Sequence, residues 1–116
     1  AIDPHAVLAP SVEVGAGALI MPGVVINADA RIGQGAIINT GACIDHDCQV
    51  GDFAHIAPAA ALAGNVSVGR LSLCGIGSRF IPGVRLGERV TVGAGAVVTR
   101  DLHDGVRVVG VPARRL

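Results

Sequence analysis

The chain has 116 residues, a length that suits one ordinary domain. Nine Lys plus Arg balance nine Asp plus Glu, which leaves neither a basic face for nucleic acid nor an acidic tail. Gly, Pro, Asp or Arg breaks every apolar stretch short of about 18 residues, which excludes a transmembrane helix.

Two Phe are the only aromatic residues, so the core must be filled by small and branched aliphatics in a geometry that suits them. No secretory leader is visible, and the chain opens on Ala1 rather than Met. Both fit a processed or excised piece with residues upstream. Cys43, Cys48 and Cys74 form no even disulfide framework and no metal-ligand spacing. A reducing, cytoplasmic setting is expected, including the cytoplasmic part of a larger membrane-associated protein.

From Val14 onward an apolar residue recurs at every sixth position through Ile20, Ile26, Ile32, Ile38 and Ile44 to Val98, and Leu8 extends the series backwards. Two residues before each stands a small or β-branched residue, from Val12 and Ala18 to Val90 and Ala96. A helix of 3.6 residues per turn would scatter a six-residue repeat around its whole circumference. The pattern inward, outward, inward, then turn instead reads as a short strand followed by a corner. The residue after the aliphatic is Gly, Asn or Asp in ten of fifteen units. These residues accept positive φ cheaply, so the left-handed corner is expected there.

Gly15, Gly33, Gly51, Gly69, Gly87 and Gly105 recur at intervals of eighteen. Three six-residue sides therefore make one coil. The expected fold is all-β: a triangular parallel β-solenoid of roughly five to six coils, stacked at about 4.8 Å into a prism on the order of 25–30 Å long. Phe80 is the one bulky inward residue. After Arg100 the pattern changes. "DLHDGVRVVGVPARRL" has a turn at Asp104-Gly105, a strand-like "VRVVGV" and then Pro112. The expected division is a β-helix over 1–105 and a closing strand and tail over 106–116 that covers the open end of the prism. A solvated basic tail is the alternative.

The polar residues gather in Ile44 to Pro58, "IDHDCQVGDFAHIAP". Ile44, Val50 and Ile56 point inward, Asp45 falls at a corner, and His46 and Asp47 follow outside it. His55 lies between inward Ala54 and Ile56, so it points outward. Neither histidine belongs to the core, although solvated histidines satisfy this spacing as well as functional ones do. Cys48 and Cys74 point inward. Cys43 faces outward with no histidine placed beside it, so an acyl-cysteine intermediate is not expected.

The repeat resembles that of the hexapeptide-repeat acyltransferases, which implies a left-handed parallel β-helix and homotrimers with active sites between subunits. "INTGACIDHDCQVGDFAH" with "ALAGNVSVG" resembles the sialic-acid O-acetyltransferase and UDP-4-amino-sugar N-acetyltransferase subfamily. The latter enzymes act in bacterial bacillosamine synthesis for protein glycosylation. The resemblance implies His46 as general base and Asp47 as its carboxylate partner, in a position where better-known members carry Glu. It implies a backbone N–H near Gly64 for the oxyanion, and His55, Gly64, Ile76 and Ala94 against acetyl-CoA. Asn39 would bind or position substrate; a plain turn residue is its other reading. Ala94 replaces a family Gly, so only a backbone contact carries over there.

The reaction so implied moves an acetyl group from acetyl-CoA directly to the 4-amino group of a UDP-linked amino-dideoxy sugar. An attacking amine sheds a proton as its bond forms, and a positioned imidazole can take it. Acetylation of a sialic-acid or other sugar hydroxyl is the alternative, and a non-catalytic trimerisation module of a larger enzyme is another. A three-histidine zinc site, as in carbonic anhydrases of this fold, is disfavoured because His5 and His103 lie near opposite ends. No metal is expected. The subfamily usually carries an upstream nucleotide-sugar-binding segment, which suggests a fusion to other domains.

Overall fold

The computed structural model describes residues 1–116. It contains only two- and three-residue strands, arranged as three parallel sheets that form the sides of a prism. The first side stacks Val7–Leu8, Val25–Ile26, Cys43–Ile44, Ala61–Leu62, Arg79–Phe80 and Val97–Val98. The second stacks Glu13–Val14, Arg31–Ile32, Gln49–Val50, Ser67–Val68 and Arg85–Leu86. The third stacks Leu19–Ile20, Ile37–Ile38, His55–Ile56, Leu73–Cys74 and Thr91–Val92, and ends in Arg107–Val109 and Arg114–Arg115.

Pairing partners lie eighteen residues apart, as in Cys43↔Ala61 and His55↔Leu73. The strand backbone groups therefore bond to the coil above or below them, and the strands can be short because the stack supplies the partners. In each strand the second residue turns inward. Of the fifteen six-spaced aliphatics only Val14 escapes full burial, because it lies in the first coil with no complete coil beneath it. Ala18, Ala30, Ala36, Ala42 and Ala54 fill the narrow corners and are fully buried. Phe80 is inward and buried, Cys48 and Cys74 are buried, and Cys43 is exposed. Ser72 and Ser78 stand at buried small positions and donate to the carbonyls of Gly87 and Gly75 at 3.0 and 2.7 Å.

The corner differs from the expectation. The left-handed residue is the third after the aliphatic: Gly17, Gly23, Asp29, Gly35, Gly41, Asp47 and their successors. The glycines directly after the aliphatic are needed for another reason. A Cβ on Gly51 would stand 2.5 Å from the Arg70 nitrogen, and one on Gly33 would stand 2.6 Å from that of Asp52. That column of glycines lets successive coils close on each other.

Gly105 does not continue the column. The last coil has sixteen residues, pairing Thr91 with Arg107, so Gly105 takes the left-handed position above Arg89, with φ of 73°. The chain then turns back, and Arg114–Arg115 pairs antiparallel with Val108 and Val109 at the edge of the third side. The long axis is 37 Å, beyond the expected length, because Ile2 and the closing hairpin extend the stack at its two ends. No helix is long and apolar enough to cross a membrane.

Candidate active site

His46 stands on the corner between the first and second sides. The backbone around it is held from both neighbouring coils. The Asp47 N–H donates to the Ala28 carbonyl at 3.0 Å, and the Asn65 N–H donates to the His46 carbonyl at 3.0 Å. Asp47 takes φ of 59°, a conformation Asp tolerates better than most residues. This bend swings its carboxylate back toward the imidazole, and Oδ2 lies 3.1 Å from His46 Nδ1. The shorter Asp therefore reaches the ring without the extra methylene of Glu. An ionised carboxylate only accepts, so Nδ1 carries the hydrogen and Nε2 is left as the basic nitrogen. The two side chains are 54% and 52% exposed, so the pair is open to solvent and its worth lies in orientation rather than in stability.

Gly64 lies one coil above and is buried. A Cβ there would come within 2.6 Å of His46 Nε2 and 2.7 Å of Cε1. The imidazole therefore rests on the glycine, and the Gly64 N–H donates to no acceptor within the chain. A basic nitrogen and a free backbone donor thus share one corner.

Asp45 directly precedes His46 on the same corner. Its Oδ1 accepts from the His46 N–H at 2.7 Å and from Asn27 Nδ2, one coil lower, at 3.0 Å. The Asn27 hydrogen bond, and after it that from the His46 N–H, hold the Asp45 carboxyl below the usual carboxylate range. The expectation placed Asp45 at the corner but did not foresee Asn27. An eighteen-residue register stacks the two directly.

His55, Ile76 and Ala94 line one open groove of about 440 Å³ on the third side and its corner toward the first, with Pro58, Leu73 and Gly75. The lining is mostly apolar, and Ile76 is 60% exposed. Such a groove suits a thin, flexible, partly apolar chain. Asn39 is turned toward this side. Its Oδ1 accepts from the Thr40 N–H at 2.8 Å, which fixes the amide, and its Nδ2 then faces His55 Nε2 at 3.2 Å. Nε2 of His55 is the acceptor in that contact, which leaves its Nδ1 with the hydrogen.

The expected site residues thus fall into two groups: His46, Asp47 and Gly64 on one edge, and His55, Ile76 and Ala94 with Asn39 beside another. Within one chain they are separated by the first side, six residues or about 20 Å of extended chain.

No family model matches the chain. Among solved structures it superposes on PerB of Caulobacter crescentus, crystallised with CoA and GDP-perosamine, with a TM-score of 0.99 and 56% identity over 100% of this chain and 56% of that one. In fold and in sequence the chain is similar to sugar N-acetyltransferases built on the hexapeptide-repeat β-helix. The acetyltransferase domain of PglB from Neisseria gonorrhoeae, crystallised with acetyl coenzyme A, matches at a TM-score of 0.96 and 41% identity over 99% of this chain and 56% of that one. A stretch of 40 residues, 34% of this chain, is 42% identical to a serine acetyltransferase of Synechococcus elongatus and covers 16% of it. The chain spans just over half of the crystallised acetyltransferases, and under a fifth of that curated relative. Histidine variants of the Caulobacter enzyme have also been crystallised with both of its ligands.

Proposed function

We propose that the chain is the catalytic domain of an acetyl-CoA-dependent N-acetyltransferase acting on the amine of a nucleotide-linked amino-dideoxy sugar. The observation that carries this reading is the His46 imidazole, tied to Asp47 through Nδ1 and resting through Nε2 on buried Gly64. The amine nitrogen attacks the thioester carbonyl, and Nε2 of His46 takes the proton it sheds. The Gly64 N–H donates to the oxygen as it becomes an oxyanion. Collapse breaks the C–S bond, and the imidazolium returns its proton to the departing CoA sulfur. Asp47 holds the ring and stabilises its charged form. The apolar groove of Ile76 and Ala94 takes the pantetheine arm, His55 stands against it with Nδ1–H free to donate, and Asn39 sets the His55 tautomer.

The separation of the two groups supports an assembly in which one copy's His46 edge meets its neighbour's groove, as in a homotrimer with sites between subunits. The first and third sides present Val7, Leu19 and Leu73, all exposed, whereas the second presents Glu13, Arg31, Gln49 and Arg85. The 56% identity to the GDP-perosamine enzyme favours GDP as the acceptor's nucleotide over the UDP suggested by the subfamily resemblance. A bacterial, cytoplasmic setting and fusion to an upstream nucleotide-sugar-binding segment complete the reading.

The test is product mass after incubation with acetyl-CoA and GDP- or UDP-linked 4-amino-4,6-dideoxy sugars, with His46→Ala alongside. One added acetyl group, lost in the variant, supports the reading. Transfer only to a sugar hydroxyl would move it to O-acetylation. Acetyl-CoA neither bound nor consumed would leave a structural module.

A further inference from the structure

The corner that carries His46 differs from its counterparts in the other coils. Its column runs Ala9, Asn27, Asp45, Ala63, Ile81 and Thr99, and Asn27 with Asp45 is the only pair of polar residues stacked on each other in it. In the next column the N–H groups of Ala28 and Gly64 donate to nothing in the chain, whereas that of His46 has an acceptor, Asp45 Oδ1 at 2.7 Å. That oxygen is steadied by one other side chain, Asn27 at 3.0 Å. The ladder fixes the backbone on either side of His46, but the His46 N–H itself depends on this side-chain relay.

We propose that Asn27, one coil below the base, is a positioning residue for it: by holding the Asp45 carboxylate, Asn27 fixes the turn that sets the imidazole on Gly64. This rests on His46 acting as the base. Without Asn27 the exposed carboxylate rotates toward water and the His46 N–H loses its acceptor. Asn27 is itself exposed and packs nothing in the core, so its loss leaves the fold intact.

The experiment uses the full-length protein with Asn27→Ala, Asn27→Asp and the exchange variant Asn27→Asp/Asp45→Asn. The exchange keeps a donor facing an acceptor between the coils. Turnover is expected to fall about fivefold to tenfold in Asn27→Ala, with the acetyl-CoA KM unchanged because neither Asn27 nor Asp45 lines the groove. Asn27→Asp, which sets two carboxylates face to face, falls further, and the exchange variant recovers to within about threefold of wild type. Amide exchange at His46 accelerates in Asn27→Ala while other corners keep their protection. Unchanged turnover and unchanged His46 exchange overturn the inference. So does a loss that tracks a lowered melting temperature and is not recovered by the exchange. A wild type without transfer, or a fully active His46→Ala, sinks the functional reading instead, and the His46 amide then decides the positioning alone.

Discussion

Gly64→Ala isolates the geometry on which catalysis is argued. The glycine lies outside the left-handed region, so alanine meets no backbone penalty there. Its new methyl would stand 2.6 Å from His46 Nε2, 2.7 Å from Cε1 and 3.2 Å from Cδ2. Ordinary contact is about 3.5 Å or more, so the ring must retreat by about 1 Å. The ring is half exposed and yields cheaply, so stability should change by no more than about 1 kcal/mol. The basic nitrogen, however, leaves its place and strains its contact with Asp47. A misplacement of about 1 Å costs on the order of 100-fold in rate, or about 2.7 kcal/mol in activation free energy. The Gly64 N–H is retained, so the loss reports the ring and not the oxyanion donor. Turnover at saturation of both substrates, read beside the thermal midpoint, decides it. Turnover within twofold of wild type at an unchanged midpoint would refute the placement of the base over Gly64.

His46→Ala should lower turnover by about 10²- to 10⁴-fold while acetyl-CoA still binds by calorimetry. Asp47→Asn should lose less, about tenfold, because the ring stays but its orientation and charge support weaken; equal losses in the two would separate Asp47 from an orienting role. Ala94→Trp should fill the groove and raise the acetyl-CoA KM by about tenfold or more with turnover at saturation nearly kept, and an unaltered KM would place the cofactor elsewhere. Gly51→Ala sets a methyl 2.5 Å from the Arg70 nitrogen and 2.8 Å from the Gly69 carbonyl carbon. It should cost about 1–3 kcal/mol in urea denaturation, and an unmoved midpoint would mean the coils can part at no cost. Burial pushes the Cys74 thiol up to about 12 from an ordinary 9.0. The folded thiol stays protonated where the unfolded one ionises, so its stabilising contribution is complete below about pH 9 and is lost as pH rises toward about 12. Cys74→Ala should flatten that alkaline decline in denaturant midpoint, and an identical decline would show the thiol is not the cause.

The sides of the prism were legible because each is a six-residue pattern repeated through the chain. The inward roles of Phe80 and Cys74, the outward roles of Cys43 and His55, and the inward small column down to Ser72 and Ser78 all follow from position in that repeat. The corner was misread by two residues. Composition marks Gly, Asn and Asp as turn formers but cannot tell a glycine kept for φ from one kept for space, and Gly33 and Gly51 serve the second need. Phe53 was equally hidden. It takes φ of 56°, and its ring lies over Gly35, a fit only stacking reveals.

Hexapeptide periodicity thus carries the architecture, since each residue's inward or outward direction is a local property of the strand. It also carries the identity of the polar cluster, and with the subfamily resemblance it names His46, Asp47, Gly64 and His55. What lay beyond it concerns residues one coil apart. That His46 rests on Gly64, that Asn27 reaches Asp45, and that Asn39 turns to His55 are contacts between stacked coils, set by register and side-chain reach. The division of the site residues between two edges is also tertiary: a triangle puts residues near in sequence on different sides, and those eighteen apart in contact.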